Sequence, residues 1–194
     1  PESVLLLMAK STYLPIHTFL EFLGIFASLG IFLIGWTTYK NVGSHKILYL
    51  SISSLAVAFF DFGHTLSFVG MPKFVTDSEP NKAIYFWLAG RLTDSFAFLL
   101  VALELQKMDF RKWRWPGLIL SLIWVGGVYY LVLLRPETLP LMFIKGEGLT
   151  PLKIAIELIG IGMSLVAGFL FFRRWQSPQD KITVDLSNKL MTCG

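Results

Sequence analysis

Five apolar blocks dominate this chain, each close to the roughly 20 residues a helix needs to cross the hydrocarbon core of a bilayer. They run at about 16–38, 46–69, 84–106, 117–134 and 152–172. A soluble domain has no means of hiding five such faces. The rest of the composition agrees: 54% of residues are hydrophobic and only 15% charged, far from the balance of an ordinary globular domain. The pattern predicts an all-α, polytopic membrane helix bundle with about five transmembrane helices. Residues 1–15 read as an N-terminal extracytoplasmic or interfacial segment. "ESVLLLMAK" is too short to span, so it is the tail of an earlier span or a short interfacial helix. Residues 16–172 form the bundle, and 173–194 a cytoplasmic tail or the start of a further helix. The single cysteine, Cys193, excludes an internal disulfide and a Cys-based zinc site. No basic stripe with interleaved aromatics is present, which excludes nucleic acid as a partner.

The linkers are short, so successive spans alternate in direction. One side carries Lys40, Lys46, Lys107, Arg111, Lys112, Arg114, Arg173, Arg174, Lys181 and Lys189. The other carries Lys10, Lys73, Lys82, Arg135, Lys145 and Lys153. Lys and Arg in short loops favour the cytoplasm. Ten against six therefore predicts that the first side is cytoplasmic and the N-terminal side faces out of the inner (plasma) membrane. Trp36 with Tyr39, Trp113, Trp115 and Trp175 fall near the predicted inner ends, as interfacial aromatics do. Pro15 stands just before the first span. Thr150 and Pro151 read as the N-cap and first position of the last helix.

Inside these apolar runs lie seven residues that do not belong in lipid. "FFDFGHTLSFVG", Phe59 to Gly70, holds Asp61 and His64 on one helix face. The first span holds His17 and Glu21, also one turn apart. The third has Arg91 and Asp94, the fifth Glu157, the fourth none. By the predicted boundaries all seven fall in the outer half of the bilayer. Each is expensive in hydrocarbon, on the order of 2.5–3.5 kcal/mol at a helix centre for a charged group. Such residues therefore turn inward and pair. Four acids against one arginine leave a surplus of three negative charges, which protonation, water or a cation must offset.

Several readings meet this pattern. A hydrogen-bonded network would have Arg91 bridging Asp61 and Asp94. A metal site would use His17, Glu21, Asp61 and His64, two imidazoles and two carboxylates suited to zinc, iron, copper or manganese. Haem held between His17 and His64 is the alternative cofactor. Asp61, Arg91, Asp94 and Glu157 are the candidate ligand-binding set. On any of these, His17 and Glu21 face Asp61 and His64 across the first two helices. The two imidazoles then lie roughly 4–7 Å apart if one ion is shared. His45 reads as solvated, and Glu104 as reaching water or Lys107. Gly126, Gly127, Gly160 and Gly162 read as sites of close helix approach. No phosphate-binding glycine loop, nucleophile elbow or Ser–His–acid set can be assembled. A metal-dependent intramembrane enzyme survives as an alternative, as does a transporter or a cofactor-bearing accessory subunit of a membrane complex.

The order "HTFLEF", "DFGHTLSFVGM", "FWLAGRLTDS" and "IKGEGLTPLKIAIE" resembles the bacterial and archaeal membrane-associated sensor domain of the third kind. The likeness spans roughly residues 16–160. It implies a multi-helix sensory input module ahead of a cytoplasmic output such as a histidine kinase, as in two-component systems, or a diguanylate cyclase, which makes cyclic-di-GMP. It carries over to His17, Glu21, Asp61, His64, Arg91 and Glu157. The chain departs from the pattern at Phe68 and Val69, where Tyr-Lys is usual, and at Asp94, where Glu is frequent. The expected partners are the lipid bilayer, a cytoplasmic signalling domain or partner, and a second copy of the chain.

The charge bias yields a direct test. In a background lacking Cys193, Ser44→Cys is expected to resist an impermeant maleimide in intact cells and to react after permeabilisation. Equal labelling before and after would reverse the orientation.

Overall fold

The computed structural model describes residues 2–42, 44–103 and 114–176, with the backbone alone for 2–11, 40 and 42. Five long helices follow one another: α1 Glu2–Val42, α2 His45–Ser67, α3 Pro80–Ala102, α4 Arg114–Leu134 and α5 Pro151–Trp175. Each contains a stretch long and apolar enough to cross a membrane. The fold is thus the expected all-α membrane bundle. Its only strands among the described residues are a two-residue antiparallel pair, β1 Phe143–Ile144 and β2 Gly148–Leu149. Sequence-level expectations for Glu104, Lys107, Trp113 and the tail after Gln176 lie outside the described residues.

Two boundaries differ from the sequence reading. Residues 2–15 are not a separate element: they continue α1, and Pro15 lies inside the helix rather than ahead of it. A proline there removes one backbone hydrogen bond. The third helix also begins at Pro80, four residues before the predicted span, because Pro80 and Asn81 serve as its first turn. Thr150 caps α5 as expected, accepting a hydrogen bond from Lys153 N at 3.3 Å, with Pro151 at the first turn.

The centre of the bundle is α2. It packs against α1, α3 and α4, while α5 packs against α3. Phe60, Ala56, Phe86, Val125, Val132 and Leu133 make the main core where α2, α3 and α4 meet. The outward faces carry Phe19, Phe26, Ile34, Ile123, Leu158 and Leu165, all exposed, as a lipid-facing surface should be. The expectation of close approach at Gly126 and Gly127 is not met. A side chain there would meet nothing within 4 Å, and the same holds at Gly162; at Gly160 contact is ordinary, with Leu92 at 3.6 Å and Ser95 at 3.7 Å. The reason is register, since α4 turns Val125, Val132 and Leu133 inward instead. Close approach falls at Gly35, where a Cβ would come 2.7 Å from Ser51 Cβ, and at Gly63, where one would come 2.8 Å from both Phe86 and the Tyr129 hydroxyl.

Each end of the bundle is tied by polar side chains. At the hairpin end, Asn81 clamps the loop ahead of β1. Its Oδ1 accepts from Met142 N at 2.9 Å and Phe143 N at 2.7 Å, and its Nδ2 donates to Phe143 O at 3.0 Å. Lys82 is buried rather than in a free loop, donating to the carbonyls of Phe74 at 2.6 Å and Thr76 at 3.0 Å. That holds a tight turn in which Val75 has φ of 64°. At the opposite end, Arg114 lies 3.9 Å over the Trp36 ring and donates to Trp36 O, with Trp115 edge-on to the same ring. His45, expected to be solvated, is half-buried there against Tyr39.

The glycine contrast gives a paired test. Gly63→Ala is expected to destabilise the purified bundle by about 1–3 kcal/mol, the usual cost of overpacking. Gly126→Ala should be neutral or slightly stabilising because alanine favours the helix. Thermal unfolding in detergent reads both; equal effects would show that α2, α3 and α4 do not meet as described.

Candidate functional site: a histidine–glutamate cluster beside a buried ion pair

Helix α1 presents His17 and Glu21 one turn apart on the face that meets α2. Helix α2 runs the opposite way and brings His64 to the same level. Glu21 Oε1 is 3.8 Å from His17 Nδ1 and 4.0 Å from His64 Nε2. The two imidazole rings are 5.7 Å apart and nearly perpendicular. One ligand-type atom from each of His17, Glu21 and His64 lies within 4.8 Å of the others, the one such group among the described residues.

Protons can be placed on this cluster by elimination. His64 Nδ1 is 2.8 Å from the carbonyl oxygen of Ala83, which can only accept. The Nδ1 atom therefore carries a proton, and in the neutral ring Nε2 turns a lone pair toward Glu21. A lone pair facing a carboxylate is repulsive unless a proton or a metal ion lies between. His17 Nε2 is buried with no hydrogen-bond partner, which native proteins rarely leave so. Apolar rings wall the cluster: Tyr13 stacks on His17 at 5.5 Å, and Phe68 lies 4.4 Å from His17 and 5.9 Å from His64. Phe68, absent from the expected set, thus shields two imidazoles.

Asp61 is not part of the cluster. One turn before His64, it turns toward α3 and takes Arg91. The Arg91 Nη2 atom donates to its two carboxylate oxygens at 2.9 and 3.2 Å. Gly90 leaves room for this carboxylate, since a Cβ there would come within 3.3 Å of Asp61 Oδ1. Asp61 is buried while the Arg91 side chain is 45% exposed. The network expected around Arg91 is therefore half present: Asp61 is bound, and Asp94 accepts no hydrogen bond among the described residues. Glu157 pairs within its own helix with Lys153 at 2.6 Å, and Lys153 is buried beneath the Trp87 ring. The Lys153–Glu157 spacing of four residues announced this pair; assigning Lys153 to a loop concealed it.

The seven residues do not share one depth. Glu157 is roughly 9 Å along α5 from Pro151, but Asp94 is roughly 21 Å along α3 from Pro80, at 1.5 Å per residue. That places Asp94 just beyond the helix midpoint. The earlier start of α3 accounts for the difference. The polar groups run from α1 through α2 and α3 to α5 at differing levels.

A family model for MASE3, described as a membrane-associated sensor domain, matches residues 8–194. The chain belongs to the MASE3 family. The match covers essentially all of the five helices and the polar path within them. No match was found among curated proteins or among solved structures. This MASE3 chain is therefore a multi-pass membrane sensory module, with the lipid bilayer as its environment.

The ion pair predicts an asymmetric mutational response. Arg91→Leu strands a buried carboxylate and is expected to destabilise the bundle by about 3 kcal/mol or more at neutral pH. Combining it with Asp61→Leu should recover most of that loss. If the single variant unfolds like wild type at pH 8, Asp61 does not depend on Arg91.

Proposed function

We propose that this MASE3 bundle is a sensory input module whose signal is a divalent transition-metal ion held by His17, Glu21 and His64, and that it passes a helix shift to a cytoplasmic output. The observation that carries this reading is the convergence of one ligand-type atom each from His17, Glu21 and His64 within 4.8 Å, with the Glu21 carboxylate facing both imidazoles. A positive centre among them offsets the carboxylate. The His64 Nδ1–Ala83 contact is the backbone anchor that metal-bound histidines commonly have. Two nitrogens and one carboxylate leave a coordination position open, as in sites that exchange their metal or bind water.

Ligand spacing supplies a means of signalling. Bonds of about 2.1 Å in tetrahedral array hold ligand atoms about 3.4 Å apart. Here the ligand atoms lie 3.8 and 4.0 Å apart at the measured pairs and within 4.8 Å overall. Capture of an ion would draw α1 toward α2 by about 1 Å, the scale of known interface helix shifts. Because α2 also holds Arg91 of α3, and α3 packs on α5, the shift has a polar route to the last helix. A single ion suits the cluster better than a haem. The Glu21 carboxylate stands about 4 Å from both imidazoles, where a macrocycle would have to lie.

With the N-terminal side extracytoplasmic, this ion would come from outside the cytoplasm. The output would follow α5, as a kinase or cyclase module or a separate partner. Two copies side by side would suit a dimeric output.

Cobalt(II) serves as an optical probe. The purified protein is expected to bind one equivalent with visible bands typical of low coordination number. His17→Ala and His64→Ala should weaken binding by more than the roughly 10- to 100-fold typical of outer-shell partners. Wild-type affinity in both alanine variants would sink the metal reading.

A further inference from the structure

A second site lies on the other side of the ion pair, in a cleft of about 460 Å³ between the parallel helices α3 and α5. Arg91, Asp94 and Glu157 line it together with Trp87, Leu92 and Ile161. Its far wall is built on Gly160, whose missing side chain leaves Leu92 and Ser95 in plain view of α5. Ser164 donates to Ser95 at 2.9 Å, so these hydroxyls serve each other and leave the cleft's charges to the three ionisable groups and their partners.

Charge decides what the cleft takes. Arg91 is matched by Asp61, and Lys153 by Glu157. Asp94 lies one turn from the same Arg91, so two carboxylates meet one guanidinium and one negative charge is left over; Asp94 itself is half-buried and without a hydrogen bond among the described residues. A carboxylate in that position favours a single positive charge. Apart from the Ser95–Ser164 pair the rest of the lining is apolar, and the neighbouring faces of both helices, Phe96 and Leu158 among them, are exposed. A ligand therefore reaches the cleft from the bilayer and brings an apolar body with it. The volume falls in the range of small-molecule pockets.

We infer that the α3–α5 cleft binds a monovalent cationic amphiphile, its ammonium head on Asp94 and its aliphatic body along Leu92 and Ile161 toward Trp87. The site is separate from the metal cluster and stands whether or not that cluster binds an ion. Its position between the Arg91-bearing helix and the last helix lets an occupant change how α3 and α5 pack.

The test uses bromoalkyl probes, because bromine quenches a nearby indole. The full chain, reconstituted in phosphatidylcholine nanodiscs, is titrated with (6-bromohexyl)trimethylammonium, 6-bromohexanoate and 6-bromohexanol. Saturable quenching is expected with the cation alone, and Trp87→Phe should remove the saturable part. Asp94→Asn should weaken it at least about tenfold, the scale of a lost contact with a charged group. Gly160→Leu, which fills the cleft without changing a charge, should abolish it. This second variant keeps the test decisive if Asp94→Asn folds poorly. Saturation by bromohexanoate instead would make Arg91 the anchor and overturn the inference. So would saturation by all three probes alike, by none, or undiminished cation binding in Gly160→Leu.

Discussion

A carboxylate inside hydrocarbon needs a partner, and the packing of this bundle follows from how Asp61 finds one. Burying an unpaired acid is prohibitive, so α2 must lie where α3 can deliver Arg91. That contact fixes the rotation of α2. With Asp61 turned to α3, His64 one turn later is turned toward α1, and Gly63 between them faces Phe86 and Tyr129. One ion pair thereby decides which helix meets which face of the central element. The two ends then close around it, through Asn81 and Lys82 on one side and Arg114 over Trp36 on the other.

Two kinds of polar chemistry result on opposite sides of α2 and α3. Toward α1, two imidazoles and one carboxylate are gathered, with His64 anchored to the Ala83 carbonyl through Nδ1 and His17 Nε2 left without a partner. Toward α5, charges are largely matched within pairs, and one acid remains. The first arrangement suits a metal ion, which needs converging lone pairs. The second suits an organic head group, which needs one counter-charge and an apolar wall. The Asp61–Arg91 pair stands between them.

The fold was legible in the sequence because membrane spans announce themselves by length and hydropathy alone. So was the meeting of His17, Glu21 and His64, which follows from two antiparallel helices joined by a short linker. What escaped was decided by side-chain direction. Nothing in the order of residues says that Asp61 turns to α3 while His64 turns to α1. Lys82 and Lys153 looked like loop charges because polar residues beside prolines usually are. Both are buried, one capping loop carbonyls and one paired to Glu157. The glycines of "WVGGVYY" carried a packing pattern without a partner to pack against. Gly63, one residue before a histidine and less conspicuous, makes the tightest approach in that core.

If His17, Glu21 and His64 share one ion, two imidazoles and one carboxylate must bind it together. X-ray absorption of the zinc-loaded protein tests it most directly. The account predicts a first shell of nitrogen and oxygen at about 2.0–2.1 Å, with outer-shell scattering from two imidazoles that falls to one in His64→Ala. A shell of oxygen alone, or imidazole scattering unchanged in that variant, would contradict it.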